Sequence, residues 1–221
     1  MPTPRKPVPF TRPFTTAALR AFDLTPGALR GWLARGEVLE IADGVFVPSA
    51  QSDLNRWRAI CTSRSVTDGT KCVSIRGAAA LHRICTPVRI PQRHDTDPRP
   101  RDLVGVPLVR INGFLVPTRI HTALELAGSQ SLSSALVPIE CVLRNGVTQA
   151  ELVQLHDAPL DRRRRPRSAS LASAIRHMSR KSGSALESCS RGLIIESGLP
   201  RPEQQDSITI QGYRYYLDIF W

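Results

Sequence analysis

The segment LTPGALRGWLARGEVLEIADGVFVP, residues 24–48, constrains the fold most, because its hydrophobic period changes halfway along. Its first part sets Leu29, Trp32 and Leu33 at helical spacing. Thr25 stands ready as N-cap, Pro26 fits the first helical position and Gly36 suits a left-handed exit. Two short β-rich runs follow, Val38–Ile41 and Val45–Val47, joined through Asp43-Gly44, a strong signal for a hairpin turn. Upstream, FTTAALRAF reads as a short helix with Thr15 or Thr16 at its N-cap. Helix, turn, helix and two-stranded wing is the order of a minimal winged helix-turn-helix, predicted over residues 14–50 after a loose, proline-rich arm at 1–13.

Beyond it the pattern mixes helix and strand. A helix is expected around Leu54–Cys61, a strand at CVSI, and a helix at GAAALHRI with Ala80, Leu81 and Ile84 facing one core. Residues 85–102, with four prolines and three aspartates, read as a loop, and LVRI as a strand. PTRIHTALELAG carries Ile120, Leu124 and Ala127 on one helical face and ends at Gly128. SSALVPIECVLRNG continues as helix, with a kink or break expected at Pro138. TQAELVQLH opens with a capping box, Thr148 and Glu151. Residues 51–156 thus form a middle α/β domain and 157–167 a basic linker. In residues 168–221, one helix puts Leu171, Ile175 and Met178 on one side and ends at Gly183. A second is opened by Ser184 with Glu187 and closed by Gly198, and a hairpin turns at Gln211-Gly212. The fold class is α+β.

The formal net charge is +11, which points to a polyanionic partner, and residues 161–181 alone hold eight basic groups against one acidic. Five cysteines, odd in number and without a C-x-x-C pair, argue against a disulfide framework and for a reducing cytoplasm. No apolar run reaches the length of a membrane span, and the first residues carry no signal-peptide core, so no membrane association is expected. Phosphate-cradling glycine loops and the G-x-S-x-G elbow are missing, and no cofactor is implied. His82 and Cys85 lie at i, i+3 with His94 nearby, but a zinc site needs a fourth ligand and better spacing. A packed histidine is the better reading, and no metal is expected.

A winged helix lays its second helix in the major groove. Arg30, away from Leu29 and Leu33, is placed to bond guanine O6 and N7 together, with Thr25 at the start of the same helix. Arg20 and Arg35 suit phosphate contacts. The run Arg162, Arg163, Arg164 and Arg165 grips nucleic-acid backbone in one reading and is a solvated linker in the other. The catalytic candidates are Glu187 and Asp218, a helix glutamate and a strand aspartate that would begin a magnesium nuclease site. Such a site needs further oxygen ligands and an activated water. Glu187 reads better as the capping-box partner of Ser184, so no enzymatic activity is expected.

Across nearly the whole chain these residues carry a resemblance. FTTAALRAFDLTPGALRGWLARGEVLEIADGVFVP resembles the winged-helix start of AbiEi-type antitoxins of actinobacteria and their phages. VSIRGAAALHRI and TRIHTALELAG are similar to two further segments of that group, with His121 and Glu125 where the family has Arg and Asp. SALES, GLPRPEQQ and YYLDIFW resemble the opening of an endonuclease-like domain akin to very-short-patch-repair nucleases. The resemblance implies a sequence-specific, double-stranded-DNA-binding autorepressor, the antitoxin of a type IV pair or a phage-defence component, whose partner is a nucleotidyltransferase-like toxin. It also implies that the restriction-endonuclease-like segment is truncated. The Tyr213–Trp221 strand would then be a sheet edge open to homodimerisation. Two other classes stay open: a nuclease or inactive nuclease remnant, and a phage-exclusion protein-interaction module.

Overall fold

A computed structural model describes residues 7–50, 63–65, 70–86, 105–128, 130–158 and 168–220. The helix expected around Leu54–Cys61, His94, the arginines 162–165 and 167, and Trp221 lie outside them. The described residues mix helix and sheet and gather into two compact units, Met1–Leu81 with Gln92–Thr118, and His82–Pro91 with Arg119–Trp221. Among them no helix is long and apolar enough to cross a membrane.

In the first unit, β1 (Phe14–Thr15) leads into α1 (Thr16–Arg20), followed by α2 (Pro26–Ala34), β2 (Val38–Ala42) and β3 (Val45–Pro48). Thr25 caps α2, its hydroxyl accepting from the Ala28 N–H at 3.4 Å, with Pro26 in the first turn where a missing N–H costs nothing. Gly36, at φ +68°, ends the helix. The Glu37 N–H reaches the Trp32 carbonyl at 2.9 Å and the Gly36 N–H the Leu33 carbonyl at 3.0 Å, the paired bonds of a Schellman motif.

The three strands form an antiparallel sheet in the order β1-β3-β2, whose central strand β3 is buried on both faces. Phe46 and Val38 pack with Phe14, Leu19, Leu29 and Trp32 on one side, while Val45, Val47 and Ile41 pack with Val73, Leu81, Phe114 and Val116 on the other. Period-two alternation sends consecutive residues of β3 into different cores, which is why Val-Phe-Val is apolar throughout. The hairpin of the 14–50 segment therefore shares a core with Val73, Ala78, Leu81, Phe114 and Val116. The proline-rich arm is not loose throughout either: Phe10 is buried and stacks on Phe14, ring centres 3.9 Å apart, and Arg12 donates to the Leu81 carbonyl at 2.7 Å.

That second core is covered by a sheet of β4 (Ser63–Ser65), β5 (Lys71–Val73), β6 (Leu108–Ile111) and β7 (Phe114–Pro117), ordered β4-β5-β7-β6, with β5 and β7 parallel. The connection between the parallel strands carries α3 (Ile75–His82), started by Ser74, whose hydroxyl accepts from the Gly77 N–H at 3.1 Å. On α3 it is Ala78, Ala79 and Leu81 that are buried, with Ile84 beyond its end, and Ala80 is half-buried. The β6–β7 turn, Asn112-Gly113, has positive φ at both residues. The Asn112 carbonyl accepts from the Thr15 N–H at 3.0 Å. A Cβ on Gly113 would lie 2.8 Å from the Ala18 nitrogen, so only glycine fits.

The second unit is built round one helix. α4 (Arg119–Ala127), α5 (Leu132–Arg144), α6 (Gln149–Asp157), α7 (Ala169–His177) and α8 (Ala185–Glu196) precede the hairpin β8 (Asp206–Ile210) and β9 (Tyr213–Leu217). α5 packs against α4, α7 and α8, and 11 of its 13 residues are buried, as a helix apolar all round requires. Of the kink or break expected at Pro138, the break does not occur: the helix runs through it from Leu132 to Arg144. Packing on three sides outweighs the one backbone bond the proline removes. The α5–α8 contact is close: a Cβ on Gly192 would come within 2.8 Å of the Ser133 nitrogen. Beside it the carboxylate of Glu140 pairs with the guanidinium of Arg191, both fully buried. α7 stops at His177 rather than at Gly183, because Met178 turns extended and the Ser179 N–H bonds Glu140 at 2.9 Å. The capping box of Thr148 and Glu151 forms as expected.

Candidate nucleic-acid interface

The α2 sequence has two faces. Leu29 and Trp32 are buried in the core below, while Thr25, Pro26, Gly27, Arg30, Ala34 and Arg35 are exposed. Two glycines in a nine-residue helix cost about 0.5–1 kcal/mol each relative to alanine. Their positions give that cost a role. The Arg30 Nη2 lies 3.9 Å from where a Gly27 Cβ would stand, and the Arg35 Nη1 3.0 Å from that of Gly31. Each guanidinium folds back along the helix into the space that a Cβ would take, which holds two cations close against the α2 backbone. Sequence reasoning picked out the arginines and missed the glycines, although their i, i+4 spacing on the polar side was visible.

Arg35 is not free. Its Nε and Nη2 donate to Glu37 Oε1 and Oε2 at 2.7 and 2.9 Å, and the Glu37 hydrogen bond raises its pKa above the ordinary arginine value. A phosphate reaching Arg35 must displace that carboxylate, a small cost for a solvent-exposed pair. Arg20 ends α1, exposed. The hairpin turn is acidic. Asp43 stands almost fully exposed with the Lys71 ammonium 3.1 Å away, and Glu40 accepts from the Gly44 N–H at 2.8 Å. With β3 buried on both faces, only β2 and this turn face outward, so the cationic surface of the segment belongs to α2 and the end of α1.

In the second unit, Glu187 and Asp218 are brought to one side chain. The Gln205 amide donates to Glu187 Oε2 at 3.4 Å and to Asp218 Oδ1 at 3.2 Å. Glu187 also accepts from the Gly183 N–H at 2.8 Å, while Ser184 caps the Glu187 N–H at 3.1 Å. Ser184 thus caps the helix, but the Glu187 carboxylate takes the Gly183 N–H rather than the Ser184 N–H of a full capping box, and it shares the Gln205 amide with Asp218. Nothing in the sequence marked Gln205, whose place depends on its positive φ of 53° just before β8. Among the described residues no cluster of three or more His, Cys, Asp or Glu side chains is arranged to hold a metal ion. Cys85, considered beside His82 as a zinc ligand, instead contacts Cys141.

No family model, no curated protein and no solved structure matches this chain.

Proposed function

We propose that the chain is a sequence-specific DNA-binding transcriptional repressor of the antitoxin type, reading its site with a winged helix-turn-helix in which α2 enters the major groove. The observation that carries this reading is the exposed face of α2, where the Arg30 and Arg35 guanidinium groups lie over Gly27 and Gly31. A recognition helix needs close approach to base edges and a side chain able to bond two acceptors of one base. The net charge of +11 supports a polyanionic partner. The turn between β2 and β3 is acidic and unsuited to phosphate, so in this reading the backbone contacts fall to Arg20 and Arg35. Gel-shift titration against the DNA upstream of its own gene is the test. Wild type should prefer that DNA over random sequence at moderate salt, and equal affinity for both sinks the proposal. The antitoxin role is tested by co-expression with the adjacent gene, whose product should be toxic alone and harmless with this chain.

A second reading, a metal-dependent nuclease or its remnant, is favoured by the approach of Glu187 and Asp218 to Gln205. Two carboxylates supply too few oxygen ligands for magnesium and no base for water, so our reading is that the chain does not cut. Incubation with supercoiled and mismatched DNA in magnesium or manganese decides it. Cleavage lost in Asp218→Ala would put the nuclease first.

A further inference from the structure

Two of the cysteines, 56 positions apart in sequence, meet at the C-terminal end of α5. The Cys85 N–H donates to the Cys141 sulfur at 2.9 Å, and the Cys141 thiol lies 3.8 Å from the Arg83 carbonyl and interacts with the Cys85 thiol as well. Adding one N–Cα bond puts the Cys85 Cα within about 4.4 Å of the Cys141 sulfur. Arg144, one turn further along α5, donates from Nη2 to the Cys85 sulfur at 3.8 Å, and the Asn145 amide lies 3.7 Å from that of Cys141. Cys85 is half-buried and reachable from solvent, while Cys141 is buried. Neither position has any part in the α2 surface or the Glu187–Asp218 site.

We propose that Cys85 and Cys141 form a reversible disulfide under hydroperoxide, making this pair a redox-modification site. The half-exposed sulfur beside a guanidinium is the attacking group, and the buried one resolves the product. The Cys85 thiolate attacks one oxygen of hydrogen peroxide, the O–O bond breaks, and a sulfenic acid forms while hydroxide leaves. The Cys141 thiol gives its proton to that hydroxide, and its sulfur attacks the Cys85 sulfur. The S–S bond forms and the sulfenic oxygen departs as the second water after taking one more proton. Two thiols lose two electrons and peroxide becomes two waters. Burial raises the Cys141 pKa, so at rest it stays a thiol and waits for the sulfenic acid. Donors from Cys85 N–H and Asn145 stand ready for the sulfur once it ionises.

The test is peptide mapping of the full chain after brief exposure to hydrogen peroxide, with alkylation of the remaining thiols. The expected result is a cross-linked peptide pair containing Cys85 and Cys141, reversed by dithiothreitol, with Cys72 and Cys189 still alkylated. In Cys85→Ser, at the less buried position, Cys141 should resist oxidation at least tenfold longer than in wild type. In Cys141→Ser, Cys85 should stop at a sulfenic acid that a dimedone probe traps. A cross-link to another cysteine, over-oxidation of Cys85 with Cys141 reduced, or equal reactivity of Cys189 overturns the proposal. So does unchanged oxidation of Cys141 in Cys85→Ser.

Discussion

The buried pair of Glu140 and Arg191 holds α5 to α8, and its removal in halves should separate two energies that the folded state combines. Both side chains are essentially sealed from water, and burial lowers the Arg191 pKa while Glu140 raises it back in part. In Glu140→Leu the guanidinium stays buried without its partner. Removing one half of a buried pair costs about 3–5 kcal/mol. The Ser179 N–H also loses its 2.9 Å acceptor, at roughly 1 kcal/mol more. Against a total stability of about 5–15 kcal/mol, that removes roughly a quarter of the margin at least, and nearly all of it at the low end. Arg191→Met should be costly for the converse reason, a carboxylate without its cation. The double variant Glu140→Leu/Arg191→Met strands no charge, and should recover to within about 1–2 kcal/mol of wild type or exceed it. Urea unfolding followed by circular dichroism, completed as a double-mutant cycle, measures the coupling. A Glu140→Leu cost below about 1 kcal/mol, or a double variant no better than the worse single one, would refute the reasoning.

Gly192→Ala should destabilise the second unit by about 1–3 kcal/mol, because its Cβ meets the Ser133 backbone rather than a side chain that can turn aside; thermal unfolding checks this. Arg30→Ala should weaken operator binding by about 1–3 kcal/mol and relax preference at one base pair, measured by competition gel shift. Glu37→Gln removes the carboxylate that occupies Arg35, so DNA binding should tighten several-fold at low salt, and unchanged affinity would place Arg35 off the interface. The Thr148 hydroxyl and N–H hold the Glu151 pKa below the ordinary glutamate value of 4.5. A carboxylate depressed in the folded state stabilises it above that value, and the contribution is lost as pH falls through the folded pKa. Thr148→Ala should therefore flatten the acid side of the stability profile, read by unfolding midpoints from neutral pH downward.

Features set by neighbouring residues were legible in the sequence. Thr25, Pro26 and Gly36 bound α2, Asp43-Gly44 turns the hairpin, Thr148 and Glu151 box the start of α6, and Gln211-Gly212, both at positive φ, joins β8 to β9. What depended on distant partners was not. Sequence reasoning missed FLVP as β7 although Asn112-Gly113 is a local hairpin signal joining it to LVRI; only its parallel pairing with β5 depends on residues more than 40 positions away. Pro138 reads as a helix breaker until three helices close round it. The end of α7 was misplaced because a carboxylate on α5 takes the N–H that would have followed. At the candidate interface Thr25 and Arg30 were visible, whereas the pairing of Arg35 with Glu37 forms across the chain reversal at Gly36.

The turn at Asn112-Gly113 has a consequence for how the chain comes off the ribosome. It supplies the acceptor for the Thr15 N–H, and Asn112 Nδ2 also donates to the Pro13 carbonyl at 3.3 Å. Phe114 and Val116 complete the core under Val45 and Val47. When residue 50 has been added, all of α1, α2 and the hairpin exist as polypeptide, yet one face of their sheet has nothing to lie on. At about 5–20 residues per second, another 3–13 s or so passes before residue 113 is made. For that interval the core around Ile41, Val45 and Val47 lacks Phe114 and Val116 and has at most Val73, Ala78 and Leu81 to close it, the kind of surface that chaperones recognise. Slow codons placed between residues 50 and 113 should lengthen the exposure and lower the soluble yield, while the same codons after residue 118 should leave it unchanged.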